Sequence, residues 1–195
     1  EYILATESAE IDRAQMDIEK NRKGGLGLTV VDSNGVPIQG ATVIYNETSH
    51  DFLFGVFDTM TEAGLGAFQQ CHDIGINYAT VGFYWSQTEP TEGNLQYQTI
   101  NNTWGIKALT DMGYTVHAHA LIYLNDFVTP AYLKTKDFSA FNKSVYSHVY
   151  NLVNVYKDKI HIWNVVNEAN SKWGMAGLNR SEMTQLIRTG VKAIK

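Results

Sequence analysis

His161-Ile162-Trp163-Asn164-Val165-Val166-Asn167-Glu168-Ala169-Asn170 changes character halfway along. Its first half reads as a short buried strand, because Ile162, Val165 and Val166 are β-branched and Trp163 is aromatic. Asn167 and Glu168 stand where the apolar run stops, at the strand's C-terminal end. In a parallel α/β sheet or barrel, that end carries the chemistry, since the βα loops open there onto a common crevice. A carboxyl group set among apolar walls has a raised pKa, which suits a general acid at neutral pH. A plainer role stays open: a strand-end Glu that caps a helix or pairs with an Arg.

Upstream, apolar runs alternate with helical patterns from residue 51 onward. Residues 52–57, 77–83, 115–123 and 160–166 read as strands. Residues 61–75, 97–113, 137–156 and 181 to the end read as helices, with Leu65, Phe68, Cys71, His72 and Ile74 near one face of the first and Ser181 as N-cap of the last. This rhythm predicts a parallel sheet with right-handed crossovers. A (β/α)8 barrel takes about 250 residues, so only about four βα units fit. Half a barrel leaves two parallel edge strands for the missing half, or a second copy of the chain, to cover. A complete flavodoxin-like open sheet of four or five strands is the structural alternative.

Trp163-Asn164-Val165-Val166-Asn167-Glu168 resembles the Trp-Asp-Val-Val-Asn-Glu motif of glycoside hydrolase family 10, the retaining endo-β-1,4-xylanases. Phe52-Leu53-Phe54-Gly55, Ile76-Asn77-Tyr78-Ala79-Thr80, Trp85 with Glu89-Pro90 and Gly93, and Ala118-His119-Ala120-Leu121 resemble earlier landmarks of that family in the same order. The resemblance implies an α/β fold of the (β/α)8 TIM-barrel type with only its first half present, residues 51–195. It implies a secreted or extracellular hydrolase of β-1,4-linked polysaccharide or oligosaccharide, with no cofactor. Glu168 takes the place of the acid/base, and Asn167 that of the Asn on the sugar beside the cleaved bond.

The same resemblance puts the nucleophile, a Glu near the end of the seventh strand, beyond this chain. Asp58, Glu89 and Asp126 also follow predicted strands. Glu89, before Pro90, reads as structural, and Asp126 is the best internal substitute. His119 matches a sugar-contacting His. Tyr123 stands for a usual Trp, and Leu124 for a second His. Thr80-Val81-Gly82-Phe83-Tyr84-Trp85 replaces Glu-Asn-Glu-Met-Lys-Trp, so the sugar-binding Asn and Lys become Val81 and Tyr84. Tyr84, Trp85 and Tyr123 read equally as cleft lining or as packing.

His117 and His119, two apart on a strand, face the same way. With Glu168 or Asp126 they could hold a metal, but no third ligand stands at a telling spacing, and no metal is expected. Cys71-His72 reads as core.

The chain has 195 residues, 44% hydrophobic and 18% charged, so it can build a core. A net charge of −5 without Lys or Arg runs argues against nucleic acid and anionic membrane as partners. The single Cys71 excludes a disulfide scaffold, and no stretch reaches transmembrane length. The chain begins without Met and shows no signal peptide, which reads as a mature chain or a piece of one. Asn-x-Ser/Thr triplets at Asn46, Asn101, Asn142 and Asn179 matter only in a glycosylating host.

Residues 1–50 read as an appendage: a polar helix over 9–22, ended by Gly24-Gly25, then strands over 26–31 and 36–45 around an Asp32-Ser33-Asn34-Gly35 turn. It resembles a small β appendage that precedes the catalytic domain in some family 10 proteins. Its expected role is packing on the main domain, with polysaccharide contact as the alternative.

Two functions follow. One is a retaining glycanase; the other is a non-catalytic carbohydrate-binding or scaffold remnant, motivated by the absent nucleophile and by Val81, Tyr84 and Leu124.

Overall fold

Four short strands pair in the order in which the chain makes them. In a computed structural model that describes residues 2–58, 62–103, 105–170 and 177–195, they are β1 (Gly55–Asp58), β2 (Tyr78–Gly82), β3 (Thr115–Ile122) and β4 (Ile162–Val166). All neighbours are parallel, in the order β1-β2-β3-β4. A doubly wound sheet reverses its strand order to put helices on both faces. Sequential order with right-handed crossovers puts every helix on one face, as in a barrel wall. The flavodoxin-like alternative is therefore set aside, and the fold is a partial (β/α) barrel.

Two compact units divide the chain at residues 46 and 47. The first holds α1 (Tyr2–Asn21) and the turn after it. Asp32 Oδ1 accepts from the backbone N–H groups of Asn34 (2.8 Å) and Val36 (2.9 Å), and Gly35 takes a φ of 80°. The turn is thus as expected, but the strands predicted over 26–31 and 36–45 do not form. One antiparallel bridge, Val31 to Pro37, is all that extends from it, because a lone two-stranded ladder gains too little to order its backbone.

In the second unit, helices cover one face of the sheet: α2 (Glu62–Asp73), α3 (Trp85–Thr88), α4 (Ile106–Asp111), α5 (Phe138–Tyr156) and α6 (Arg180–Ile194). Between helices and sheet lies the core, with Val81, Phe83, Val116, Ala118, Leu152 and Ile160 all fully buried. Burying one such Leu or Ile contributes about 2 kcal/mol. Burial alternates along β2 and β3, because alternate side chains leave the packed face.

Three expectations change. The helix predicted over 97–113 is broken: Thr99–Thr103 forms a π-helical turn, and Gly105 at φ 64° caps the start of α4. The cap of α6 is Asn179, not Ser181. Its side chain accepts from the N–H groups of Ser181 and Glu182, while Glu182 accepts from the Asn179 N–H at 2.9 Å. On α2, Phe68 is buried, Cys71 is half-buried and His72 is exposed, as is Ile74 just past its end, so Cys71-His72 is not core. Leu65 lies outside the side chains described.

β4, expected to be buried, is half-buried at all five residues. It is an edge strand, as is β1: among the described residues, nothing pairs with the far side of either.

Candidate active site

The C-terminal ends of β2, β3 and β4 gather most of the residues singled out by sequence. Tyr84 follows β2, Tyr123 follows β3, and Asn167 and Glu168 follow β4. The Asn167 N–H donates to the Ile122 carbonyl at 2.9 Å, and the Phe83 N–H to the His119 carbonyl at 2.7 Å, so backbone bonds fix the three strand ends together. The peptide His119–Ala120 is cis.

Glu168 turns out of the strand with a φ of 51°, in the left-handed region that side chains with a Cβ rarely adopt. This turn lifts the carboxylate over the sheet end, where it is exposed rather than walled in by apolar groups as the sequence suggested. The Tyr123 hydroxyl is hydrogen-bonded to it. A hydrogen bond from Asn125 works to lower the Tyr123 pKa. Burial, Glu168 and the nearby Tyr84 together outweigh it, and the phenol ends above its ordinary value.

His119 lies opposite Asn164 in the β3–β4 register, and its Nδ1 is 3.0 Å from Asn164 Nδ2. The same amide nitrogen donates to Asn167 Oδ1 at 3.4 Å. The His119 and Phe57 rings meet edge to face, with centroids 6.0 Å apart. Burial pulls the imidazole below its ordinary pKa of 6.5 against the opposing charge of Glu168, so His119 is neutral at pH 7. Burial also lowers His117, and His119 adds to the effect; its Nδ1 is 3.2 Å from Thr80 Oγ1. Among the described residues, no group of three or more His, Cys, Asp and Glu is arranged to hold a metal ion.

Trp85 is not part of this cluster. It is 1% exposed, stacks on His148 at 4.1 Å and donates from Nε1 to the Tyr132 hydroxyl at 3.0 Å. It is a packing residue, and the cleft-lining reading is withdrawn. Val81 and Leu124 are likewise buried.

The internal carboxylates are also placed. Glu89 is buried against His148 and Gly93. Asp126, with its side chain 92% exposed, pairs with Lys134 at 3.2 Å. The Asp58 side chain lies outside those described. Beside the β3–α5 loop is a cavity of about 650 Å³ lined by Leu124, Asn125, Asp126, Leu133, Phe141 and Leu178; neither Glu168 nor His119 faces it.

Sequence reading passed over Asn164 and the exposed Phe127. Asn164 sits inside the quoted motif, and its strand parity with Ile162 and Val166 was the available signal. Phe127, 90% exposed just past β3, had none beyond being aromatic.

The sequence pattern of glycosyl hydrolase family 10 matches residues 76–190. The chain is 28% identical over 124 residues to endo-beta-1,4-xylanase Xyn10C of Cellvibrio japonicus, covering 60% of this chain and 20% of that protein. It is 27% identical over 163 residues to anti-sigma-I factor RsgI6 of Acetivibrio thermocellus, covering 81% and 21%. The chain thus spans about a fifth of the length of these relatives. Among solved structures, native xylanase 10C of Cellvibrio japonicus superposes with a TM-score of 0.59 at 19% identity, over 80% of this chain and 39% of that one. A mutant of that xylanase in complex with xylopentaose gives 0.56 at 20%, over 73% and 33%. Native xylanase 10B of Thermotoga maritima gives 0.56 at 16%, over 72% and 46%. These superpositions carry the fold.

Proposed function

Because this chain belongs to glycosyl hydrolase family 10, we propose that it supplies the acid/base side of a retaining endo-β-1,4-glycanase site, xylanase-like in substrate. The observation that carries this reading is the convergence of Glu168, Tyr123, His119 and Asn167 at one sheet end. Glu168 protonates the leaving glycosidic oxygen and later takes a proton from the attacking water. The exposed carboxylate is reachable by a bound chain, and Tyr123 orients it. Asn167 and His119 hold the sugar beside the scissile bond, and the rings of Tyr84 and Tyr123 offer it flat faces. The nucleophile, which must lie about 5 to 5.5 Å from Glu168, comes from outside this sequence. Glu89 is committed to His148, and Asp126 faces solvent beside Lys134.

The test is hydrolysis of xylopentaose and xylan by the purified chain beside Glu168→Gln, together with binding of xylopentaose to both. A sugar alkoxide leaves only when protonated, so any turnover must vanish in the variant. Turnover that survives Glu168→Gln overturns the acid/base role.

A second reading has its own support. Val81 and Leu124 are buried apolar residues where a sugar-binding wall calls for polar ones, and one relative is named an anti-sigma factor rather than an enzyme. In that reading the chain binds carbohydrate without cleaving it, as part of a regulatory protein. It predicts xylopentaose binding, without turnover, that Glu168→Gln leaves intact.

A further inference from the structure

We propose that Asn164 is a positioning residue that makes both His119 and Asn167 hydrogen-bond donors toward the sugar. This deepens the carbohydrate-binding reading above and rests on it.

The argument begins with one nitrogen. An amide NH₂ only donates. Asn164 Nδ2 lies 3.0 Å from His119 Nδ1, so Nδ1 accepts there and must carry a lone pair. A neutral imidazole has one N–H, and it is then on Nε2. The second hydrogen of the same NH₂ points to Asn167 Oδ1 at 3.4 Å. With Oδ1 turned to Asn164, the Asn167 NH₂ lies on the far side of its amide, away from Asn164. Rotating the Asn164 amide by half a turn would satisfy a proton on Nδ1 but would set Asn164 Oδ1 against Asn167 Oδ1. The amide NH₂ thus stands between two acceptors, and turning it round would require Asn167 to turn with it.

The described groups facing His119 agree with a neutral ring. His117 and Phe57 border it, and among the described side chains Glu168 is the carboxylate near it. The wall built by Asn164 therefore offers N–H groups from neutral side chains, and a sugar hydroxyl meets it through oxygen lone pairs. Where this chain has Asn164, the motif that it resembles has Asp. A carboxylate only accepts, and in that place it draws a proton onto His119 Nδ1. Nε2 then becomes an acceptor, or the ring becomes charged.

The experiment is ¹⁵N NMR of the His119 ring at pH 7.5 in the 195-residue chain, followed by the same spectrum for Asn164→Asp and a xylopentaose titration of each. In the unaltered protein, we expect the pattern of a proton on Nε2. In Asn164→Asp, we expect the proton to move to Nδ1, the His119 titration to shift to higher pH, and xylopentaose affinity to fall about tenfold, the loss of one neutral hydrogen bond. A proton on Nδ1 in the unaltered protein overturns the proposal without any variant. An unchanged tautomer in folded Asn164→Asp also overturns it. The expected tautomers with no xylopentaose binding would instead sink the carbohydrate reading and leave the role of Asn164 toward His119 standing.

Discussion

Glu89 and His148 meet inside the protein, with Oε2 2.6 Å from Nδ1 and the imidazole lying flat under Trp85 at 4.1 Å. The second carboxylate oxygen, Oε1, accepts from the Gly93 N–H at 2.6 Å. Three of the family landmarks legible in the sequence, Trp85, Glu89 and Gly93, are therefore one structural cluster. Burial opposes charge on both partners. The His148 and Gly93 hydrogen bonds outweigh it for Glu89, which stays ionised below its ordinary value of 4.5. Burial prevails at His148, which stays neutral.

Glu89→Gln should destabilise the second unit by about 2 kcal/mol, read as a fall in urea midpoint at constant slope. The carboxylate accepts two hydrogen bonds on its two oxygens. An amide has one oxygen, so its NH₂ must face either His148 Nδ1–H or Gly93 N–H. An unchanged midpoint would mean that the pair does not hold the α3 loop to α5.

Stability should be highest between about pH 7 and 9 and should fall in two stages as the pH drops, from the ordinary His and Glu ranges. His117, His119 and His148 all have folded pKa values below the ordinary 6.5. Below 6.5, the unfolded chain takes up protons that the folded chain refuses, so stability is lost there. Glu89 contributes stability above 4.5 that disappears as the pH falls through its lower folded value. Urea midpoints at pH 8, 5.5 and 4 measure both stages, and a midpoint flat from 8 to 5.5 would contradict the first.

Two glycines should respond oppositely to alanine. At Gly190 in α6, a Cβ would sit 2.7 Å from Val165 Cγ1 and 3.2 Å from Ile122 Cδ1, so α6 needs the bare backbone to lie close against β3 and β4. Gly190→Ala should cost about 1–3 kcal/mol. At Gly66 in α2, nothing lies within 4 Å of a new Cβ. Gly66→Ala should gain about 0.5–1 kcal/mol by removing backbone freedom from the unfolded chain. Thermal midpoints of the two variants compare them directly.

Asn179→Ala should cost about 1 kcal/mol, because both N–H groups that it caps lose their acceptor. Ser181→Ala should be nearly neutral. Equal losses would return the cap to Ser181, where the sequence alone had put it.

The sequence by itself determined the βα rhythm, the parallel sheet and the polar break at Asn167-Glu168. These rest on local periodicity: β-branched runs bounded by turns, and helical runs such as 137–156 between them. It also yielded the family, because landmark residues keep their order whatever the packing around them. Tertiary structure decided what depends on register and burial. An aromatic side chain fits a core or a cleft equally well, and only packing against His148 showed that Trp85 belongs to the core. The strands predicted over 26–31 and 36–45 have the right pattern, but among the described residues no third strand pairs with them. The helix over 97–113 breaks where Gly105 turns left-handed, a conformation that glycine permits but does not announce. Asn164 became visible as a partner of His119 only when β3 and β4 were set in register, because a residue's neighbour across a parallel sheet lies dozens of positions away in the chain. That distance in sequence is closed by hydrogen-bonded pairing and burial, and neither can be read from one strand alone.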